Sequence, residues 1–314
     1  MRRAQCRVGW CFTALLLLVL TLGVIGVSRM GSSDGTAGAA SLFALRANLG
    51  VCTDCDAGLM RMTALCGAAG WLLLLWAMCR ARWAAWRGVL LFAACWLIFP
   101  LFQAIHQGFP GLWRFDAELL AIDRLLWGGK SLPEYALALE NFWFSEVVSL
   151  GYFCFYFAVL LPVFWAAWRR ERREAQCFLL GLNLMYLLGF IGYLCIPASG
   201  PLLAFPGIFP WPPEGGVITR FLSALVAQGI TGMDVFPSLH GGVTLYILGF
   251  FALGRRRCAY GVATALLTLI ALPLLLATVY LRYHYGIDLI AGIALAGAVL
   301  AWIHPKRHYQ QESA

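Results

Sequence analysis

Charge is the scarcest resource of this 314-residue chain: Asp, Glu, Lys and Arg make up 12% of it, roughly half the share of about a quarter found in soluble domains. With 61% hydrophobic residues and a positive mean hydropathy, that shortage excludes an ordinary soluble protein. Other absences narrow the function. No internal repeat and no charge deep inside an apolar run is visible, so a transporter reading lacks its usual signals. No soluble face gathers basic residues beside aromatic or helical readers, and the net charge of +8 therefore does not point to nucleic acid. No carboxylate cluster suits a magnesium ion. No connection between apolar runs is long enough to build a core of its own.

What is present is apolar length. Runs of about 17 to 25 residues, the length that crosses a bilayer, fall near 10–28, 63–79, 88–105, 142–168, 177–196, 239–253, 258–280 and 285–303. The run at 239–253 is short, but it follows a re-entrant-looking segment, 217–238, and can borrow its end; otherwise the count drops from eight to seven. The expected fold is an all-α, polytopic integral membrane protein of about eight transmembrane helices. Its expected organisation is an N-terminal pair of additional spans with an outer loop over 1–87, a six-helix membrane bundle over 88–304 and a cytoplasmic tail over 305–314.

Charge orients these spans. Arg2, Arg3 and Arg7; Arg80, Arg82 and Arg87; Arg169, Arg170, Arg172 and Arg173; Arg255 to Arg257; and Lys306 with Arg307 fall on alternate connections, which the positive-inside rule assigns to the cytoplasm. The opposite connections carry most of the acids, among them Asp116, Glu118, Asp123, Glu134 and Glu140. The expected location is the cell (inner) membrane, with the motif-bearing loops on the outer or periplasmic face. Arg2 and Arg3 before an apolar run also resemble a secretory signal, but the run is long and the small residues at 37–39 lie far from its end, which favours a retained anchor. Cys52 and Cys55 face an oxidising compartment in this topology; ordinary loop cysteines are the plainer reading, since a zinc site needs two more ligands.

Two segments carry chemistry. In ATVYLRYHYGIDLIAG, residues 277–292, His284 and Asp288 are four apart; on a helix they share a face, where a carboxylate holds an imidazole in one tautomer. In GMDVFPSLHGG, Pro237, Ser238 and His240 open another apolar run. The 44 residues between the histidines fit one helical hairpin, which returns both to one membrane face. Between the bundle and FPSLH, the stretch 197–238 is rich in proline and glycine and cannot be one helix; it is expected to roof the site. Plainer readings exist. A boundary histidine is often only interfacial, and a His/Asp pair one turn apart often only caps a helix, yet ionisable groups at membrane spans tend to mark function. Glu146 and His106 read as interfacial, and Ser199 with Gly200 as a turn.

FPSLH and VYLRYHYGIDLIAG resemble the second and third signature motifs of the phosphatidic acid phosphatase type 2 superfamily. The resemblance extends to its branch related to the fungal aureobasidin-resistance proteins, the inositolphosphorylceramide synthases, through PSLH, HY-x-x-D, CIPASGP at 195–201 and AIDRLLWGG followed by Tyr152 and Tyr156. It implies a membrane enzyme of lipid phosphoryl chemistry that uses no cofactor and no metal. His284 would attack phosphorus and form a phosphohistidine, Asp288 would orient it, and His240 would protonate the leaving oxygen. Ser238 and nearby backbone N–H groups would cradle phosphoryl oxygens. The chain lacks the superfamily's usual first-motif lysine and Arg-Pro pair, and has Ala277 and Thr278 where relatives carry Ser-Arg; Arg282 and Arg220 are then the candidates for phosphate-neutralising charge. The implied partners are a phospholipid or lipid-phosphate substrate, the bilayer, and a lipid or polyol acceptor or water. Transfer of a phosphorylated head group between lipids is the leading expectation, with lipid phosphate or diphosphate hydrolysis next and a transporter or an inactive scaffold as readings of other classes.

Overall fold

A computed structural model describes residues 85–109, 111–210, 213–254 and 258–308, together with helical positions scattered between 11 and 25. The expected span at 63–79 and the pair Cys52 and Cys55 lie outside the described residues. Among the described residues all regular structure is helical, as the apolar runs predict: α1 (Arg87–Ile98), α2 (Leu101–Gly108), α3 (Asp116–Leu126), α4 (Leu132–Leu137), α5 (Phe142–Trp168), α6 (Arg173–Cys195), α7 (Pro201–Ala204), α8 (Val217–Gly229), α9 (Leu239–Ala252), α10 (Cys258–Tyr280) and α11 (Gly286–His308).

Among the described residues, five stretches are long and apolar enough to cross a membrane: Arg87–Gly108, Phe142–Trp168, Arg173–Cys195, Tyr260–Tyr280 and Gly286–Ile303. The first is α1 and α2 joined at Pro100, which has no N–H to continue the helix. α9, with 14 residues, reaches only about 21 Å at about 1.5 Å per residue, short of the hydrocarbon thickness. The segment expected to lengthen it, 217–238, instead forms a separate helix, α8, that packs on α5 and is joined to α9 by a non-helical stretch.

Local sequence sets the helix starts. Ser131 and Glu134 form a capping box at α4, with Pro133 in its first turn; Asn141 caps α5 through its side chain on Phe144 N; Ser238 caps α9 on Gly241 N. Each supplies an acceptor to an N–H that has no partner in the first turn. α6 runs through the middle, burying Phe178, Leu182, Met185 and Phe190, and α9 packs between α10 and α11. Two glycines set how close α9 and α11 come. A Cβ on Gly242 would lie 2.9 Å from Gly292 O, and one on Gly292 would lie 2.5 Å from Ser238 O, so the SLHGG and LIAG segments cross at backbone contact.

Because α5, α6, α9, α10 and α11 alternate in direction, the starts of α5, α9 and α11 and the ends of α6 and α10 share one end of the bundle. The basic connection 169–173 sits at the other. There Trp165, Phe251 and Tyr260 pack with ring centroids 5.2–5.9 Å apart, and the Tyr260 hydroxyl donates to Glu174 Oε2 at 2.9 Å.

Candidate active site

The short linker between α10 and α11 folds back over the end of α10. The N–H groups of Tyr283 and His284 both donate to Thr278 O at 3.0 Å, and the Arg282 carbonyl accepts from Leu202 N at 3.0 Å. The turn requires φ of 65° at Arg282, a left-handed conformation that costs energy for a bulky residue and persists only where its surroundings impose it. Here the residue is held at both ends, its backbone by Val279 O and Leu202 N and its buried guanidinium by Glu140. His284 therefore stands two residues before the first turn of α11, not on the helix itself. Its proximity to Asp288 comes from the linker as much as from helical spacing.

His284 is 2% exposed and Asp288 fully buried. His284 Nδ1 lies 3.5 Å from Asp288 Oδ2, longer than a good hydrogen bond, and that same oxygen accepts from Tyr285 N at 2.8 Å. Asp288 thus serves both the helix start and the imidazole. On the far side of the ring, His284 Nε2 faces His240 Nδ1 at 3.4 Å, and His240 Nε2 meets the Tyr152 hydroxyl at 3.0 Å. If Tyr152 donates to Nε2, His240 carries its proton on Nδ1, aimed at the lone pair of His284 Nε2, while His284 is protonated on Nδ1 towards Asp288; this assignment is the one that satisfies the chain of contacts. Burial lowers the His284 pKa to about 4, while the Asp234 carboxylate and the Val235 backbone pull it upward. The imidazole is neutral near pH 7, the form that attacks.

Two carboxylates on α3, seven residues apart, fasten the surrounding loops. Asp116 accepts from Ser199 N at 3.0 Å, Gly200 N at 2.9 Å and the Tyr285 hydroxyl at 3.2 Å. Asp123, fully buried, accepts from Ile287 N at 2.8 Å, Leu132 N at 2.9 Å and Trp127 Nε1 at 3.1 Å. The first holds the CIPASGP turn, where Gly200 takes φ of 83°; the second holds the first turn of α11, three residues beyond His284.

The two imidazoles open on a cavity of about 240 Å³. Its wall is mostly aromatic, with Trp96, Tyr152, Phe155 and Phe190, and its polar groups are His240, His284, Asp234, Ser199 and tyrosine hydroxyls. One polar end on an apolar body is what an amphipathic ligand needs.

The structure brings together His284, His240 and Asp288. Ser238 lies beside them: its N–H donates to Asp288 O at 3.0 Å and its hydroxyl accepts from Gly241 N at 3.3 Å. Arg282 is turned to Glu140, and Arg220 lies on the exposed side of α8; of the three residues expected to bind phosphate, Ser238, Arg282 and Arg220, none lines the cavity. Among the described residues, no three His, Cys, Asp or Glu side chains converge as ligands for a metal. His106, read as interfacial, is buried, contacting Gly232 O at 2.8 Å and the Arg114 guanidinium at 3.0 Å. Three residues escaped the sequence reading: Tyr152, quoted only as part of a resemblance, Asp234, and Asp123 as a clamp. For Asp123 a signal existed, since Asp116 and Asp123 recur at a helical repeat.

The sequence profile of the PAP2 superfamily matches residues 117–302, from α3 through most of α11. No curated protein and no solved structure matches the chain.

Proposed function

This chain belongs to the PAP2 superfamily, which brings lipid phosphatase or phosphotransferase chemistry, and from that premise we propose a membrane phosphotransferase that moves a phosphorylated head group through a phosphohistidine on His284. In the first displacement the His284 Nε2 lone pair attacks phosphorus and the bond to the leaving oxygen breaks, with His240, which takes up a proton as the anionic substrate binds, giving that oxygen its Nδ1 proton and returning to the neutral form. In the second, His240 takes a proton from an alcohol, whose oxygen attacks phosphorus as the bond to Nε2 breaks. Asp288 steadies the charge that the ring gains between the two. The N-terminal end of α9, where Leu239 and His240 line the cavity, offers partial positive charge to phosphoryl oxygens. The observation that carries this reading is the continuous line Asp288, His284, His240, Tyr152, with the inner contact at 3.4 Å and one end open to a cavity. In the attacked state the two rings must part to admit phosphorus, as expected of a site that tightens only around its substrate.

Transfer over hydrolysis rests on water exclusion. His284 is 2% exposed beneath a roof tied down by Asp116, and an alcohol held there competes with water through effective molarity. Hydrolysis is the second reading. Purified protein given a labelled phospholipid and a panel of lipid and polyol alcohols should form a new phosphodiester; only free phosphate or free phosphorylated head group across the whole panel decides for hydrolysis.

We place the site on the outer face of the cell membrane, because the basic connection 169–173 lies at the opposite end of the bundle and basic loops stay inside. In a cysteine-free background, Glu214→Cys should react with an impermeant thiol reagent added outside and Arg172→Cys should not; the reverse pattern puts the site in the cytoplasm.

A further inference from the structure

Asp234 stands in the cavity wall with His240 and His284, four residues before Ser238. Its Oδ1 accepts the Thr231 hydroxyl at 2.8 Å, and Thr231 is itself buried, its oxygen accepting from Met233 N at 3.3 Å. The carboxylate is thus fixed where it faces the reacting end of the cavity. It interacts electrostatically with His284.

No lysine or arginine is among the described residues of that wall. Two arginines lie just behind it, each held by other side chains. Arg114 donates to the Ser199 hydroxyl at 2.6 Å and lies against the His106 ring at 3.0 Å; Arg282 pairs with Glu140. What remains is one carboxylate, two imidazoles and the partial positive charge at the start of α9. A single negative charge on phosphorus oxygens suits that helix end. A second one meets Asp234 with no lysine or arginine among the described residues of the wall to offset it, and like charges at close range in a poorly solvated site repel strongly.

We propose that Asp234 is a specificity-determining residue, a charge filter that favours phosphodiester donors, with one negative charge, over phosphomonoesters, with two. The filter rests on the reading that phosphorus is attacked by His284, but not on whether water or an alcohol completes the reaction. It also explains how a superfamily site without its usual first-motif cations works at all: the substrate brings less charge to neutralise.

The test compares two labelled lipids of identical acyl chains, one a phosphodiester and one a phosphomonoester, on the purified full chain in nanodiscs near pH 8, where a phosphomonoester carries about two charges. In the wild type, kcat/KM for the diester should exceed that for the monoester by about tenfold or more. Asp234→Asn should shift the ratio by about tenfold towards the monoester, and Asp234→Glu should keep the wild-type preference. Equal or better turnover of the monoester by the wild type overturns the filter without any variant, so an Asn protein that fails to fold does not shelter it. A ratio unmoved in an active Asn variant overturns it too. The identity of the product, new diester or free head group, judges the transfer reading separately in the same tubes.

Discussion

At the end of the bundle that carries His284 the loops are held by carboxylates on backbone N–H groups, whereas the end that carries residues 169–173 is held by packed rings. Asp116, Asp123 and Glu146 each accept from two or three N–H groups on other segments; Glu146, read from sequence as interfacial, accepts from Gly216, Ile218 and Thr219. At the far end Phe178 lies 5.2–6.1 Å, centroid to centroid, from Phe250, Trp165, Tyr246 and Phe251. Packing is adaptable and tolerates substitution if volume is kept. A carboxylate that satisfies several N–H groups is directional, and fixes loop atoms to within the few tenths of an ångström that phosphoryl transfer demands. The scarce acids of this chain are therefore spent where positions matter, and their concentration on one set of loops is as much a positioning device as a consequence of topology.

The contrast breaks most sharply at Asp123 and Phe178. Asp123→Ala leaves the N–H groups of Ile287 and Leu132 unpaired and frees the start of α11, so kcat should fall by about 10²-fold, the scale of an ångström-sized misplacement, with KM for the lipid little changed. Phe178→Ala should cost about 3 kcal/mol or more of stability through its cavity while the folded fraction keeps wild-type specific activity. Equal loss of specific activity in the two variants, measured on detergent-purified protein matched for folded content, would show that the ends do not differ in kind.

A smaller effect sharpens the same comparison through pH. Burial holds the His284 pKa at about 4, below the ordinary histidine value of about 6.5. The nucleophile stays neutral through pH 6.5, so the acid limb of kcat/KM should lie well below it, towards 4. Stability follows the same sign: the unfolded chain takes up the proton first, so the contribution of this group is present above about pH 6.5 and lost as pH falls towards 4. An acid limb centred at or above 6.5 would mean that the imidazole is solvated.

Much of this was legible beforehand. The spans at 142–168 and 258–280 coincide with α5 and α10, because an unbroken apolar run bounded by polar residues has one solution in a bilayer. His240, His284 and Asp288 were legible because each sits at the mouth of such a run. The linker was not. A helix drawn through Tyr283 would misplace Arg282, whose guanidinium pairs with Glu140, 142 positions away, and no local pattern encodes that pairing. The burial of His106 likewise depends on Gly232, 126 positions on. Asp234 was passed over because its neighbours Pro237 to His240 carry the motif, and only the cavity reveals that it shares their wall.

The central claim is a covalent intermediate on His284. Purified protein mixed with a phospholipid labelled at phosphorus and quenched in base within the first turnover should carry label that is stable to base, lost in acid, and mapped to the peptide containing His284. His284→Ala should carry none and lose about 10³-fold or more of its turnover. Label absent from the wild type throughout the turnover, or retained in His284→Ala, would contradict the account.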